Sequence, residues 1–138
     1  MKPEELLKLA AEAAEKSYSP YSHFKVGAAL LCVDGQVITA ANIENRSYGL
    51  TICAERSAIV KAISMGKTEY SALAVCCTEA DYPVSPCGAC RQVISEFTES
   101  NFPVYFSGAN IENYINTTIG ELFPHNALSE MKEGKYNE

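Results

Sequence analysis

Between Phe24 and Val33 apolar side chains occupy both alternating faces of the chain. A strand of that kind is covered on both sides, so it belongs in the middle of a layered fold. Asp34-Gly35 reads as a hairpin turn, and Val37 to Ala41 returns antiparallel. Tyr70 to Thr78 is expected to be a third buried strand, and Pro103 to Ser107 a fourth. Tyr114 to Thr117 makes a short fifth, reached across Gly108-Ala109-Asn110. That link is far shorter than the dozen or so residues of a parallel crossover, so strands four and five should run antiparallel.

Helical periodicity fills the spaces between. Leu6, Leu9, Ala10, Ala13 and Ala14 line one face of an opening helix, with Pro3 in its first turn and Ser19-Pro20 ending the run. Ala54, Ala58, Ile59, Ala62 and Ile63 form the stripe of a second helix, with Gly66 just past its end. A third is expected from Gly88 to Phe97. Thr118-Ile119-Gly120-Glu121 matches the capping-box pattern and opens a short last one. The fold class is α/β: a three-layer α/β/α sandwich around a mixed five-stranded sheet. The 138 residues suit one domain spanning 1–138, with a solvated tail from about Lys132 onward. A chain of this length buries roughly two-thirds of its unfolded surface and needs no disulfide staples.

Charge narrows the partners. Seventeen acidic against eleven basic residues leave a net charge of −6. Non-specific binding to nucleic acid needs a basic surface, so no nucleic-acid partner is expected. No stretch approaches the ~20 apolar residues of a membrane span, and Met1 to Lys16 lacks the apolar core of a secretory signal. The expected setting is cytoplasmic, with no membrane partner. There the six cysteines stay reduced and become candidates for metal binding or catalysis.

Three cysteines stand at helix starts. Cys53 precedes the second helix, and Cys87 and Cys90 open the third. Three residues apart in a helical turn, Cys87 and Cys90 point to one side. Helix N-termini favour thiolates. Zinc takes thiolates readily, and three protein ligands leave its fourth position for water, whose pKa it lowers. No second Cys-x-x-Cys exists to complete a four-thiolate structural site. Glu55, two residues after Cys53, can take and return a proton beside such a metal. Arg56 can offset the surplus negative charge of three thiolates.

Other readings of the same residues stand beside these. Cys87 and Cys90 could be a thiol–disulfide redox pair, although that would leave Cys53 and Glu55 without a role. The site could also be a zinc-binding interaction module without catalysis, a reading that Glu55 beside an open fourth ligand position opposes. Glu55 could be a first-turn dipole partner and Arg56 a solvated charge. Cys32, Cys76 and Cys77 lie in apolar strands and read as small buried hydrophobes.

Cys53-Ala54-Glu55-Arg56, followed by Pro86-Cys87-Gly88-Ala89-Cys90-Arg91-Gln92, resembles the zinc-dependent cytidine deaminases, in their small, three-cysteine, homotetrameric branch. The stretch from Tyr18 through Phe24 to Leu30 resembles the family's first strand and its approach. Asn42-Ile43-Glu44-Asn45 resembles its ribose-binding segment. The resemblance implies a cytidine deaminase-like fold and one Zn²⁺ per chain on Cys53, Cys87 and Cys90, with Glu55 as proton shuttle. It implies hydrolysis of cytidine and deoxycytidine to uridine and deoxyuridine with loss of ammonia, in pyrimidine salvage, by hydroxide attack at C4 of cytosine. Asn42 and Glu44 would hydrogen-bond the ribose 3′-hydroxyl, Phe24 would lie against the base, and backbone groups at Ala54 would read its edge. Tyr48 would reach a neighbouring subunit's site in a homotetramer.

Two positions depart from the family's pattern. Arg46 stands where a small residue is common, and Ala127 or Leu128 where a Phe is usual. A deaminase of another aminopyrimidine nucleoside, such as a nucleoside antibiotic, is the nearest rival reading. Asn42-x-Glu44 speaks against it. A polynucleotide editor is opposed by the acidic charge and the short link between strands four and five.

Overall fold

The computed structural model describes residues 1–132. The elements run α1 (Pro3–Ala14), β1 (Val26–Cys32), β2 (Val37–Ala41), a 3₁₀ turn (Tyr48–Leu50), α2 (Ala54–Ser64), β3 (Tyr70–Cys77), α3 (Gly88–Phe97), β4 (Pro103–Ser107), β5 (Tyr114–Thr118), α4 (Ile119–Leu122) and α5 (Ser129–Lys132). Lys132 ends α5, and the rest of the expected solvated tail lies outside the described residues.

One sheet takes the order β2-β1-β3-β4-β5. β3 and β4 are parallel, and α3 makes the crossover between them. The other three neighbouring pairs are antiparallel, including β4 with β5 across the short link. The sheet is therefore mixed, and it is covered on both faces. Ala28, Leu30, Leu73 and Val75 point toward α2 and α3, in one core with Ala58, Ile59 and Ile94. Ala29, Ala72, Ala74 and Cys76 point the other way, onto Leu6, Leu7 and Ala10 of α1. The alternating burial is that of strands apolar on both sides.

The α1 layer sits very close to the sheet. A Cβ on Gly27 would fall 1.9 Å from the Ala10 carbonyl oxygen and 2.5 Å from the Ala14 nitrogen. Both atoms belong to backbone and cannot swing aside. Gly27→Ala is expected to cost about 3 kcal/mol or more, at the upper end of overpacking effects. Denaturant unfolding measures it, and a loss below about 1 kcal/mol would show that α1 can retreat.

Element ends differ from the sequence expectation for local reasons. α1 stops at Ala14, well before Ser19-Pro20. The chain must leave the helix early because Tyr18 pairs with the segment at Ile43, its N–H bonding the Asn42 carbonyl. β1 begins at Val26 instead of Phe24. The backbone of Phe24 is already committed to side chains, as described below. α2 ends as expected, with Gly66 at φ +81° and the Lys67 N–H returning to the Ala62 carbonyl. At α4 the Thr118 hydroxyl accepts from the Glu121 N–H. The Glu121 carboxylate turns to the Thr117 hydroxyl, so only half of the capping box forms.

Candidate active site

α2 and α3 lie on the same face of the sheet and bring their N-termini together. Cys53 is the N-cap of α2 and Cys87 the N-cap of α3, both with extended backbone. Neither side chain makes a capping hydrogen bond. Ser or Asp would cap better, by about 1 kcal/mol, so thiols at both positions call for another explanation. Cys90 is the third residue of α3. The sulfurs of Cys53, Cys87 and Cys90 all lie within 4.8 Å of one another, with Cys53 and Cys87 3.9 Å apart. Among the described residues this is the one such cluster of metal-ligating groups. Three thiols around one point, backed by two helix N-termini, fit a zinc ion with one position left open. Cys87 and Cys90 are thus not an isolated redox pair.

The electrostatics favour anionic sulfur. Cys53 is brought down to about 5, by a hydrogen bond from Cys90 first and by Arg56 and Cys87 in addition. Cys90 is pushed up, because it shares its proton with Cys53 and is buried. The Arg56 guanidinium donates to the Cys53 sulfur and to the Thr51 carbonyl, both at 3.4 Å. That partnership holds its charge more firmly than usual. Glu55, the second residue of α2, is only 4% exposed. Burial pushes its carboxyl up to about 7, and the Cys53 charge adds to the rise. A carboxyl placed there can hold or release a proton at neutral pH.

A second group adjoins the first. Ile43 and Ile52 exchange two backbone hydrogen bonds of 2.9 Å, which sets the Asn42–Glu44 segment beside Cys53. Asn42 is buried, and its amide orientation is fixed by backbone. Its Oδ1 accepts from the Val26 N–H at 3.0 Å, and its Nδ2 donates to the Phe24 carbonyl at 2.8 Å. The Ser17 hydroxyl also donates to Oδ1, at 2.5 Å. One amide N–H remains to be offered. Glu44 is equally buried. Its Oε1 accepts from the Tyr21 and Ser22 N–H groups at 3.1 Å, and its Oε2 from the Ser22 hydroxyl at 2.5 Å. The Ser22 hydroxyl and then the backbone N–H groups hold its carboxyl below the usual range. The pair therefore offers one donor and spare carboxylate lone pairs. A single hydroxyl, which accepts and donates, matches both.

Phe24 is half-buried next to this pair, and Ala54 is fully buried as the first residue of α2. Tyr48 stands apart. It is 64% exposed on the 3₁₀ turn, edge-to-face with Tyr21 at 5.9 Å. Cys32, Cys76 and Cys77 are buried strand residues whose thiols burial pushes up.

Two supports escaped the reading of the sequence. Arg91 donates to the Pro86 carbonyl, the Ser85 hydroxyl and the Leu122 carbonyl, clamping the loop that delivers Cys87. An Arg one residue after the second cysteine was its only signal. Ser22 carries no sequence signal at all. Its partner Glu44 is twenty-two positions away.

Comparison with known proteins agrees with this geometry. A family model described as the cytidine and deoxycytidylate deaminase zinc-binding region matches residues 1–106. A cytidine deaminase of Sporosarcina psychrophila is 48% identical over 125 residues, 90% of each chain. One from Halalkalibacterium halodurans is 51% identical over 120 residues, 86% of this chain and 89% of that protein. The crystal structure of cytidine deaminase from Burkholderia pseudomallei superposes with a TM-score of 0.85 at 42% identity, over 90% of this chain and 98% of that one. A family match across three-quarters of the chain, with relatives near half identical, means that the chain belongs to the zinc-binding cytidine and deoxycytidylate deaminase family.

Proposed function

We propose that this protein hydrolyses cytidine and deoxycytidine to uridine and deoxyuridine, releasing ammonia, as a cytoplasmic enzyme of pyrimidine salvage. The observation that carries the reading is the buried Glu55 carboxyl beside three clustered thiols at two helix starts. Cys53, Cys87 and Cys90 would hold the Zn²⁺, one per chain. When bound, zinc supplies Lewis acidity that activates water near neutral pH.

The remaining work falls to side chains. Glu55 takes a proton from the attacking water and delivers it to N3 of cytosine as oxygen bonds to C4. It then moves the proton of the new C4 hydroxyl to the amino group, so the C4–N bond breaks, ammonia leaves and C4 is left as the carbonyl. Burial keeps solvent from intercepting that proton. Arg56 donates to thiolate sulfur and offsets the cluster's excess negative charge. Asn42 and Glu44 take the sugar's 3′-hydroxyl with one donor and one acceptor, Phe24 lies against the base, and the backbone at Ala54 reads its edge. Without the hydroxyl, the Asn42–Glu44 pair loses partners it cannot replace, so nucleosides outrank the free base.

Purified protein incubated with cytidine, deoxycytidine or cytosine tests this through ammonia release. Both nucleosides should turn over, and cytosine should be slower by at least about a hundredfold in kcat/KM. No ammonia from either nucleoside, or cytosine as good as cytidine, would refute the reading.

The working unit is proposed to be a homotetramer with shared sites. Ile43, Ile52 and Val60 are exposed beside the site and line a groove of about 670 Å³ with Arg56 and Ser57. Arg56 Nε and the Ser57 hydroxyl are buried there without hydrogen-bond partners. A second copy laid on this face would cover the apolar residues and supply those partners. It would also give Tyr48 a neighbour's site to reach, and D2 symmetry repeats the contact in four chains. Arg46 is exposed on the loop that carries Tyr48, at the edge concerned. Light scattering of active protein should give four chains. A single-chain mass with full activity at nanomolar concentration would exclude sharing. No partner of another class is proposed: the chain is acidic, and among the described residues no helix is long and apolar enough to cross a membrane.

A further inference from the structure

The Glu44 carboxylate is held by a neighbouring loop of unusual shape. The chain turns between Ser19 and His23, with the His23 N–H on the Ser19 carbonyl at 2.9 Å. His23 sits at φ 60°, the left-handed region that non-glycine residues rarely occupy. Such a residue persists where its surroundings over-determine it. The surroundings here are the two residues flanking it. Ser22 donates its hydroxyl proton to Glu44 Oε2 and accepts the Phe24 N–H on the same oxygen, at 3.0 Å. A carboxylate can only accept and an N–H can only donate, so the direction of both bonds is fixed. On its other side the Phe24 carbonyl accepts from Asn42 Nδ2. The backbone of Phe24 is thus gripped from both ends, by Ser22 and by Asn42. Through one oxygen Ser22 sets the rotamer of Glu44 and the placement of Phe24 together.

We infer that Ser22 is a positioning residue for sugar recognition: its hydroxyl presets Glu44 and Phe24 so that the sugar hydroxyl and the base meet them already oriented. This deepens the reading of Asn42 and Glu44 as contacts to a sugar hydroxyl and rests on it. Asn42 does not depend on a serine in the same way, because backbone groups on both sides already fix its amide. Glu44 has backbone N–H groups on Oε1 only. Oε2 is held by Ser22 and would otherwise turn with the carboxylate.

The test compares cytidine with 3′-deoxycytidine in zinc-loaded protein. Ser22→Ala should raise KM for cytidine about tenfold while kcat stays within about threefold, the size of one hydrogen bond to a charged group. Its kcat/KM for 3′-deoxycytidine, which still meets Phe24 but not Glu44, should fall less, by about threefold, so discrimination between the two substrates narrows. Ser22→Thr keeps the hydroxyl and should restore discrimination. Ser22→Cys keeps the size, donates weakly, and should behave like Ala; it carries the test should Ser22→Ala fail to fold. Equal losses on both substrates, or an unchanged cytidine KM, would overturn the assignment. Glu44→Gln separates the two layers of argument. If it narrows discrimination and the Ser22 variants do not, the role of Ser22 alone is refuted. If it leaves discrimination intact, the sugar reading and this inference fall together.

Discussion

Glu55→Gln should leave the fold and zinc content unchanged and lower kcat by several orders of magnitude. A single acid–base group commonly contributes about 10²–10⁴. Here the loss should exceed that range, because one carboxyl serves proton uptake from water, delivery to N3 and departure of ammonia. Gln fills the same buried space beside the thiols but cannot carry a proton. KM should change little, since the proposed sugar contacts lie on Asn42 and Glu44. Steady-state kinetics with zinc measured in the same samples decides the matter. Turnover within about tenfold of the parent would show that another group is the base.

The same substitution has a stability signature of opposite sign. In chelator-treated protein the Glu55 carboxyl stands at about 7 against an ordinary value of 4.5. A raised carboxyl binds its proton more tightly when folded than when unfolded. Stability therefore falls as pH rises from about 4.5 to about 7, and the penalty is complete above that window. Glu55→Gln removes it. Metal-free variant should gain up to about 3 kcal/mol over metal-free parent at pH 8 and nothing at pH 4. Thermal melts at the two pH values test this. An equal gain at both would locate the effect in packing instead of charge.

The strands and helices were legible because their signals are local. Two-sided apolar runs gave β1 and β3, and the three-residue Gly108–Asn110 link was enough to orient β5 against β4. The thiol cluster was legible for a related reason. Cys53, Cys87 and Cys90 each sit at a helix start, and helix starts can be read from sequence. What stayed hidden depends on contacts across the chain. The early end of α1 and the late start of β1 follow from pairing of Tyr18 and Phe24 with the Asn42–Glu44 segment. Ser22 and Arg91 act through partners twenty-two and thirty-one positions away. The short 3₁₀ turn at Tyr48–Leu50 and α5 have too few residues to show a period.

Removing any one of Cys53, Cys87 or Cys90 should abolish zinc binding and activity together. A three-thiolate site has no spare ligand, and among the described residues no other cluster of ligating groups could take the metal. Cys53→Ala should also take one sulfur partner from the Arg56 guanidinium, which keeps the Thr51 carbonyl. Cys32→Ala is the matched control. That thiol is buried in β1 with 2% exposure, so its loss should cost about 1 kcal/mol and spare both zinc and turnover. Serine at the N-caps separates ligand from cap. Cys53→Ser or Cys87→Ser places a better capping group at a position that makes no capping bond now. With chelator present, either variant should match or exceed the parent's stability, by up to about 1 kcal/mol. Without chelator each should be inactive and far less stable than the zinc-loaded parent, because metal binding is coupled to folding free energy. Elemental analysis beside thermal melts reads both effects. Zinc near one per chain in active Cys87→Ser protein would remove Cys87 from the ligand set and leave its sulfur unexplained.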